Sequence, residues 1–156
     1  MMTTKSVTDG LKKVLADSYA LALKTQNYHW NVEGTRFREL HLMFQEQYTE
    51  LAAAIDEVAE RIRALGEKSP GGFAEFTKLS AIKDGHSNYD DNQMVKDLWQ
   101  SHQTLVATLK KAHAAAEKAG DEPTVDLLVG RMAVHEKTAW MLRSSLPNQS
   151  RVKLAV

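Results

Sequence analysis

The chain has 156 residues, enough for one domain with a real core and too few for two ordinary ones. Lys plus Arg and Asp plus Glu each total 20, so no global charge draws it to nucleic acid or to a membrane. It has no cysteine, which excludes disulfides, thiolate zinc sites, iron–sulfur clusters and cysteine nucleophiles. With no apolar leader in MMTTKSVTDG and no run near the ~20 apolar residues of a membrane span, a soluble cytoplasmic protein is expected.

Three prolines and eight glycines punctuate long segments with apolar residues at steps of three and four. The first segment runs from about Val7 to Trp30, with Val7, Leu11, Val14, Ser18, Ala22, Thr25 and His29 in one stripe. Gly34 breaks that pattern, and Thr35 stands where an N-cap for the next helix would be. The second segment carries Phe37, Leu40, Phe44, Tyr48, Leu51, Ile55, Val58, Ile62 and Leu65, and Gly66 follows as a stop. A long connection then opens on Pro70-Gly71-Gly72, and FAEFTKLSAI within it can form a short helix. The third long segment starts near Asp90 or Asp91, carries Met94, Leu98, Leu105, Leu109, Ala112 and Ala116, and stops at Gly120. The fourth follows Asp121-Glu122-Pro123, with Leu128, Met132, His135, Ala139, Leu142 and Leu146 in its stripe and Pro147 at its end. Nothing reads as a strand. The expected fold is all-α: one domain over 1–156, a four-helix bundle with a crossover and a short extra helix between the second and third long helices, with tails at about 1–6 and 147–156.

The chemistry starts from two histidines, His29 and His41, which flank the turn at Gly34 and can approach each other. Asp56 and Glu60 lie one turn apart on the second helix, ~40° apart around its axis and opposite its apolar stripe. An ordinary solvated face explains such a pair. Against that, the same face carries the small residues Thr49, Ala52 and Ala53, which let another helix approach closely. His41 and Asp56 are ~22 Å apart along one continuous helix and cannot hold one ion within a single chain. Two chains packed antiparallel through the Ala/Thr face would bring the histidine end of each to the carboxylate end of the other, making two equal sites about a two-fold axis. Mixed imidazole and carboxylate ligands suit Fe(II), with Zn(II) and Mn(II) as competitors. An intrachain di-iron bundle would need Glu-x-x-His pairs on two helices, and the chain has none. His135-Glu136 lacks the second histidine of a zinc-protease helix, and neither a phosphate-binding glycine loop after a strand nor a Gly-x-Ser-x-Gly elbow occurs.

The stretch HWNVEGTRFRELHLMFQEQYTELAAAIDEVAERIRALG resembles the signature region of the Dps family, the dodecameric miniferritins. The resemblance extends to HEKTAWMLRSSL in the last helix. It implies a ferritin-like bundle whose ferroxidase centre lies at the dimer interface, with His29 and His41 from one subunit and Asp56 and Glu60 from the other. It also implies oxidation of Fe(II) by hydrogen peroxide, sometimes by oxygen, with ferric mineral stored inside a shell of twelve subunits. Trp30 matches a tryptophan kept near that centre, although a packed aromatic at a helix end explains it equally. Gln45 stands where some members have an aspartate, which leaves the second iron position weaker or more water-ligated.

The family's acidic three-fold pores place Asp121 and Asp126 as iron-entry residues, with Glu122 beside them, although a helix N-terminus also favours Asp121 and Glu122. Glu46, Glu50 and Glu57 are candidate nucleating carboxylates that also read as surface charges. His86, His102, His113 and His135 lack spaced partners and read as structural or surface residues, and Trp99, Trp140, Met94 and Met132 read as packing. Strong DNA binders of the family carry lysine-rich tails, whereas MMTTKS has one lysine and NQSRVKLAV adds Arg151 and Lys153, so DNA binding is expected to be weak or absent. Two other readings are a nucleoid-associated, DNA-compacting protein with little ferroxidase activity, and an assembly in which zinc on the same ligands only holds the dimer together.

Overall fold

The computed structural model describes residues 4–148. It contains α1 (Thr4–Asn31), α2 (Phe37–Ala64), the short α3 (Phe73–Leu79), α4 (Asp91–Ala119) and α5 (Glu122–Ser144). The expected all-α architecture with one extra helix in the crossover is what forms. No helix among the described residues is long and apolar enough to cross a membrane. α1 begins at Thr4, so the N-terminal tail expected to reach residue 6 is helical from there; Arg151 and Lys153 lie outside the described residues.

Side-chain bonds between helix ends fix the order of the bundle. Arg36, just before α2, reaches Asp91 and Asn92 at the start of α4 and the carbonyl of Ser145 after α5. Arg61, near the end of α2, reaches Asp121 and Thr124 at the start of α5. Lys24 and Tyr28, near the end of α1, both bond Asp97 on the second turn of α4. Each helix is therefore antiparallel to its neighbours around the cycle α1–α2–α5–α4. The crossover is tied down by buried Asp17, whose carboxylate accepts from Ser80 Oγ, Ala81 N and Thr108 Oγ1 at 2.6–2.8 Å. Three hydrogen bonds to one side chain offset the cost of burying it.

The core is made by the stripes. Leu40, Phe44, Leu51, Val58 and Ile62 of α2 are buried against Leu11, Val14, Leu21, Leu98, Leu105, Leu109, Leu128 and Leu142. Each such side chain contributes about 1.5–3 kcal/mol through apolar burial. Both ends of α4 follow ordinary capping chemistry. Asp90 and Gln93 form a reciprocal capping box on α4, and Gly120 closes that helix at φ 69°, a left-handed angle that favours glycine.

Two packing expectations fail. Thr35 does not cap α2: Arg36 occupies the N-cap position and makes no side-chain cap bond, because its guanidinium is drawn to α4 and α5. Trp140 is 55% exposed on α5 and packs little, whereas Trp99 and Met94 are buried as expected and Met132 is partly buried against the core.

Candidate metal centre

The α1–α2 corner is built so that two imidazoles face each other. Val32 N bonds Tyr28 O, closing α1, and Gly34 at φ 114° turns the chain so that Phe37 N can bond Gly34 O. Tyr28, immediately before His29, is fully buried and donates its hydroxyl proton to Asp97 while accepting from His86 N at 3.2 Å. Burial and the Asp97 carboxylate push its pKa above the ordinary value for a phenol, so it stays neutral and fixed. One end of the corner is thus anchored to α4 before the histidines are considered.

His29 and His41 stack with ring centroids 3.7 Å apart and planes 16° from parallel. His29 Nδ1 lies 2.7 Å from the carbonyl oxygen of His41, and His41 Nδ1 lies 2.7 Å from the carbonyl oxygen of His29. A carbonyl only accepts, so both Nδ1 atoms must carry the proton and donate. In the neutral rings both Nε2 atoms therefore hold free lone pairs, and among the described residues nothing bonds either of them. This is how a metal-ligating imidazole is prepared: one nitrogen is held by an outer partner, which fixes the tautomer and aims the other. Phe37 stacks on His41 at 5.0 Å, and Tyr48 meets the His29 ring edge-on at 5.2 Å, fixing both ring planes.

Asp56 and Glu60 are exposed on α2, together with Gln45, Thr49, Ala52 and Ala53. α2 is unbroken from Phe37 to Ala64, so His41 and Asp56 stay ~22 Å apart along its axis. The structure brings His29 to His41 and leaves both carboxylates at the far end. Among the described residues no three His, Asp or Glu side chains gather where one ion could bind. One chain therefore supplies two imidazole donors at one place and two carboxylates at another. Trp30 is 62% exposed and is not packed into its own chain's core.

The acidic residues at the start of α5 differ from each other. Asp121 accepts from Thr124 N and Oγ1 and pairs with Arg61 at 2.7 Å, so its carboxylate is committed to capping α5 and holding α2. Asp126 and Glu122 are exposed. Of the other carboxylates, Glu50 is paired with Arg131, while Glu46 and Glu57 are exposed.

A ferritin-like domain model matches residues 8–152. The DNA protection during starvation protein 2 of Bacillus anthracis is 39% identical over 142 residues, covering 91% of this chain and 97% of that protein. The crystal structure of a Dps protein from Bacillus brevis matches with a TM-score of 0.88 at 34% identity, over 90% of this chain and 95% of that one. The chain belongs to the Dps family of ferritin-like proteins. A Dps protein from Vibrio cholerae O1, described as a member of a broad superfamily of ferritin-like diiron-carboxylate proteins, matches with a TM-score of 0.87 at 31% identity, over 90% of this chain and 89% of that one.

Reading the Dps-family sequence helix by helix misses a second histidine pair. His102 on α4 and His135 on α5 are both buried, with their Nδ1 atoms 2.9 Å apart. They do not lack partners; they are each other's. The signal was present, since His135 sits in the apolar stripe of α5, and the α4 stripe jumps from Leu98 to Leu105 across a gap that Ser101 and His102 fill. Of the remaining histidines, His86 tilts against Tyr89 and His113 lies 3.5 Å from Glu117 on the next turn.

Proposed function

We propose that this Dps-family chain is a ferroxidase and iron-storage subunit whose oxidation site is shared between two chains. Fe(II) is the substrate, held by the Nε2 atoms of His29 and His41 together with the partner subunit's Asp56 and partner subunit's Glu60. The observation that carries this reading is the corner itself: two imidazoles with their Nδ1 protons tied to carbonyls and both Nε2 lone pairs left over, with no third ligand gathered beside them among the described residues. Imidazole and carboxylate together suit Fe(II), with Zn(II) and Mn(II) competing for the same donors. The exposed Thr49, Ala52 and Ala53 give the surface over which two α2 helices can approach closely.

In the reaction, two Fe(II) ions each give one electron to a hydrogen peroxide molecule, whose O–O bond breaks and which takes up two protons to become two water molecules. The Fe(III) formed hydrolyses, releases protons and passes into the interior of a shell of twelve subunits as ferric mineral. Consuming peroxide in this way denies it to free Fe(II) and limits hydroxyl radical, which protects the cytoplasm and its DNA. Asp126 is the residue proposed for the iron-entry pore, because Asp121 is already engaged with Thr124 and Arg61. With zero net charge, DNA binding is proposed to be weak or absent near neutral pH.

Subunit mixing tests the shared site. His29→Ala and Asp56→Ala homo-oligomers should each fail to oxidise anaerobic Fe(II) on peroxide addition in stopped flow. Denatured together and reassembled in equal amounts, half of the dimers pair one chain of each kind, and such a dimer has one intact site of its two. Recovery of about a quarter of the parental rate is therefore expected. A site confined to one chain gives no recovery, and that result would reject the shared geometry. Parental rates in the single variants would reject the ligands.

A further inference from the structure

Arg131 lies on α5 one turn before His135, and both side chains are buried. A guanidinium has donors only. Its Nη2 lies 3.0 Å from His135 Nε2, so that nitrogen must accept and the His135 proton must sit on Nδ1. The Nδ1–H then donates to His102 Nδ1, and His102 keeps its own proton on Nε2. One arginine thus fixes the tautomers of both rings. The same Nη2 also lies 3.0 Å from Glu50 Oε2, while Nη1 pairs with Glu50 Oε1. A single cationic nitrogen stands at equal distance from an imidazole lone pair on α5 and a carboxylate oxygen on α2.

That is the arrangement around a bound metal, with a guanidinium in the metal's place. A ligating imidazole turns one nitrogen to the cation while its other N–H is held by an outer partner. His135 is held in this way by His102. A first-row divalent ion would bind these donors at about 2.0–2.2 Å, so each would have to close by about 1 Å. Beside them lies a cavity of about 130 Å³ to which Glu46, Gln47, Glu50, His102 and Thr138 contribute. Gln47 Oε1 and His102 Nε2 are buried with no hydrogen-bond partner among the described residues. Met43, Leu51 and Met141 make much of the remaining wall apolar, so these two atoms and the Glu50 carboxylate are the polar points at which the cavity can hold the water ligands that two protein donors leave to be supplied.

We propose that Arg131 is a built-in counter-ion that plugs a latent divalent-metal site formed by His135 and Glu50, and so keeps the bundle core closed to metal ions. That the excluded ion is Fe(II) rests on the ferroxidase reading; the latent site itself does not. A guanidinium does not lose its proton in proteins, so pH leaves the plug in place and only substitution opens the site.

The test uses the assembled protein, Arg131→Ala, Arg131→Gln, and each of these combined with His135→Gln, with Zn(II) as the probe. Without metal, Arg131→Ala should melt below the parent. With Zn(II) it should recover, and equilibrium dialysis should find about one more ion per chain than the parent holds, with water completing a tetrahedral shell. Adding His135→Gln should abolish both the extra ion and the recovery. Arg131→Gln keeps a polar side chain beside Glu50 without the positive charge, and should gain the extra ion with milder loss of stability. Should either variant fail to assemble alone, Zn(II) added during refolding must restore it, because the ion has to do what the guanidinium did. No extra ion, an extra ion that survives His135→Gln, or failure of Zn(II) to rescue both variants overturns the proposal. These are differences from the parent, so a wrong assignment at His29 and Asp56 would leave them unchanged.

Discussion

Lowering the pH from 7 to 5 should weaken the fold through His102 and His135 specifically. Burial holds His102 down to a pKa of about 3, with the Arg131 charge adding to the shift. Burial likewise holds His135 down to about 2, with His102 and Arg131 adding. In the unfolded chain both rings titrate near 6.5. Below that value the unfolded state binds two protons that the folded state does not, so stability is fully present above pH 6.5 and falls as pH drops toward the folded values. Between pH 7 and pH 5 each ring accounts for about 2 kcal/mol and the pair for about 4 kcal/mol. That is a large share of the roughly 5–15 kcal/mol that ordinarily separates folded from unfolded domains. Urea titrations followed by circular dichroism, at one protein concentration and a series of pH values, measure the loss. The control is His102→Gln combined with His135→Gln, which removes both titrating groups while an amide can still accept from Arg131. His29, His41, His86 and His113 are common to both proteins and cancel in the difference. The parent should lose about 4 kcal/mol more than the double variant over this range, and His135→Gln alone should remove about half of that excess. Equal acid sensitivity in parent and double variant would refute the reasoning.

Asp121→Ala should cost about 1–2 kcal/mol, because it removes the cap on α5 and the carboxylate that pairs with Arg61 of α2, leaving that arginine only its bond to Thr124 among the described residues. Burial alone would raise the pKa of that carboxyl, but the Thr124 bonds and the Arg61 charge outweigh it and hold it below 3.8. Its stabilisation is thus present above pH 3.8 and lost as pH falls through the lower folded value, so parent and variant melting curves should converge only in strong acid; convergence already at pH 6 contradicts the assignment. Gly85→Ala should lower the Tm, since a Cβ there would stand 3.0 Å from Tyr28 Cζ and Oη and 3.1 Å from Lys24 Cγ. The fixed Tyr28 ring must then yield by tenths of an ångström at a cost of about 1–3 kcal/mol; an unchanged Tm would mean that the ring moves freely.

How much of this could be read from the chain depends on whether the information is local. The α2 stripe buries Leu40, Phe44, Leu51, Val58 and Ile62 because a single period of 3.6 residues decides which face meets the core. Asp90 before α4 and Asp121 before Pro123 mark helix starts because capping is satisfied within a few residues. The proximity of His29 and His41 follows from a short turn at Gly34. Their reciprocal carbonyl bonds do not, since these need the relative rotation of two helices. Thr35 fails as a cap for the opposite reason: Arg36 answers to Asp91, Asn92 and Ser145, all distant in sequence. The His102–His135 contact depends on the register between α4 and α5, which no window along one helix contains.

The two histidine pairs together explain where a cation can bind. His29, His41 and His135 each donate from Nδ1 to an acceptor, which leaves an Nε2 lone pair directed away. Orientation alone therefore does not distinguish the corner from the core. The difference lies in what meets the lone pair. In the core it meets Arg131, which also neutralises Glu50 and carries a charge that cannot be titrated away. At the corner nothing among the described residues meets it, and Asp56, the nearer of the two carboxylates proposed to complete the site, is held ~22 Å from His41 by an unbroken helix. On the reading proposed above, a fold that fills one imidazole site with its own cation and gives the other two donors only makes metal binding conditional on assembly: a dimer joined through Thr49, Ala52 and Ala53 would carry the partner subunit's Asp56 and the partner subunit's Glu60 to the corner and complete two sites.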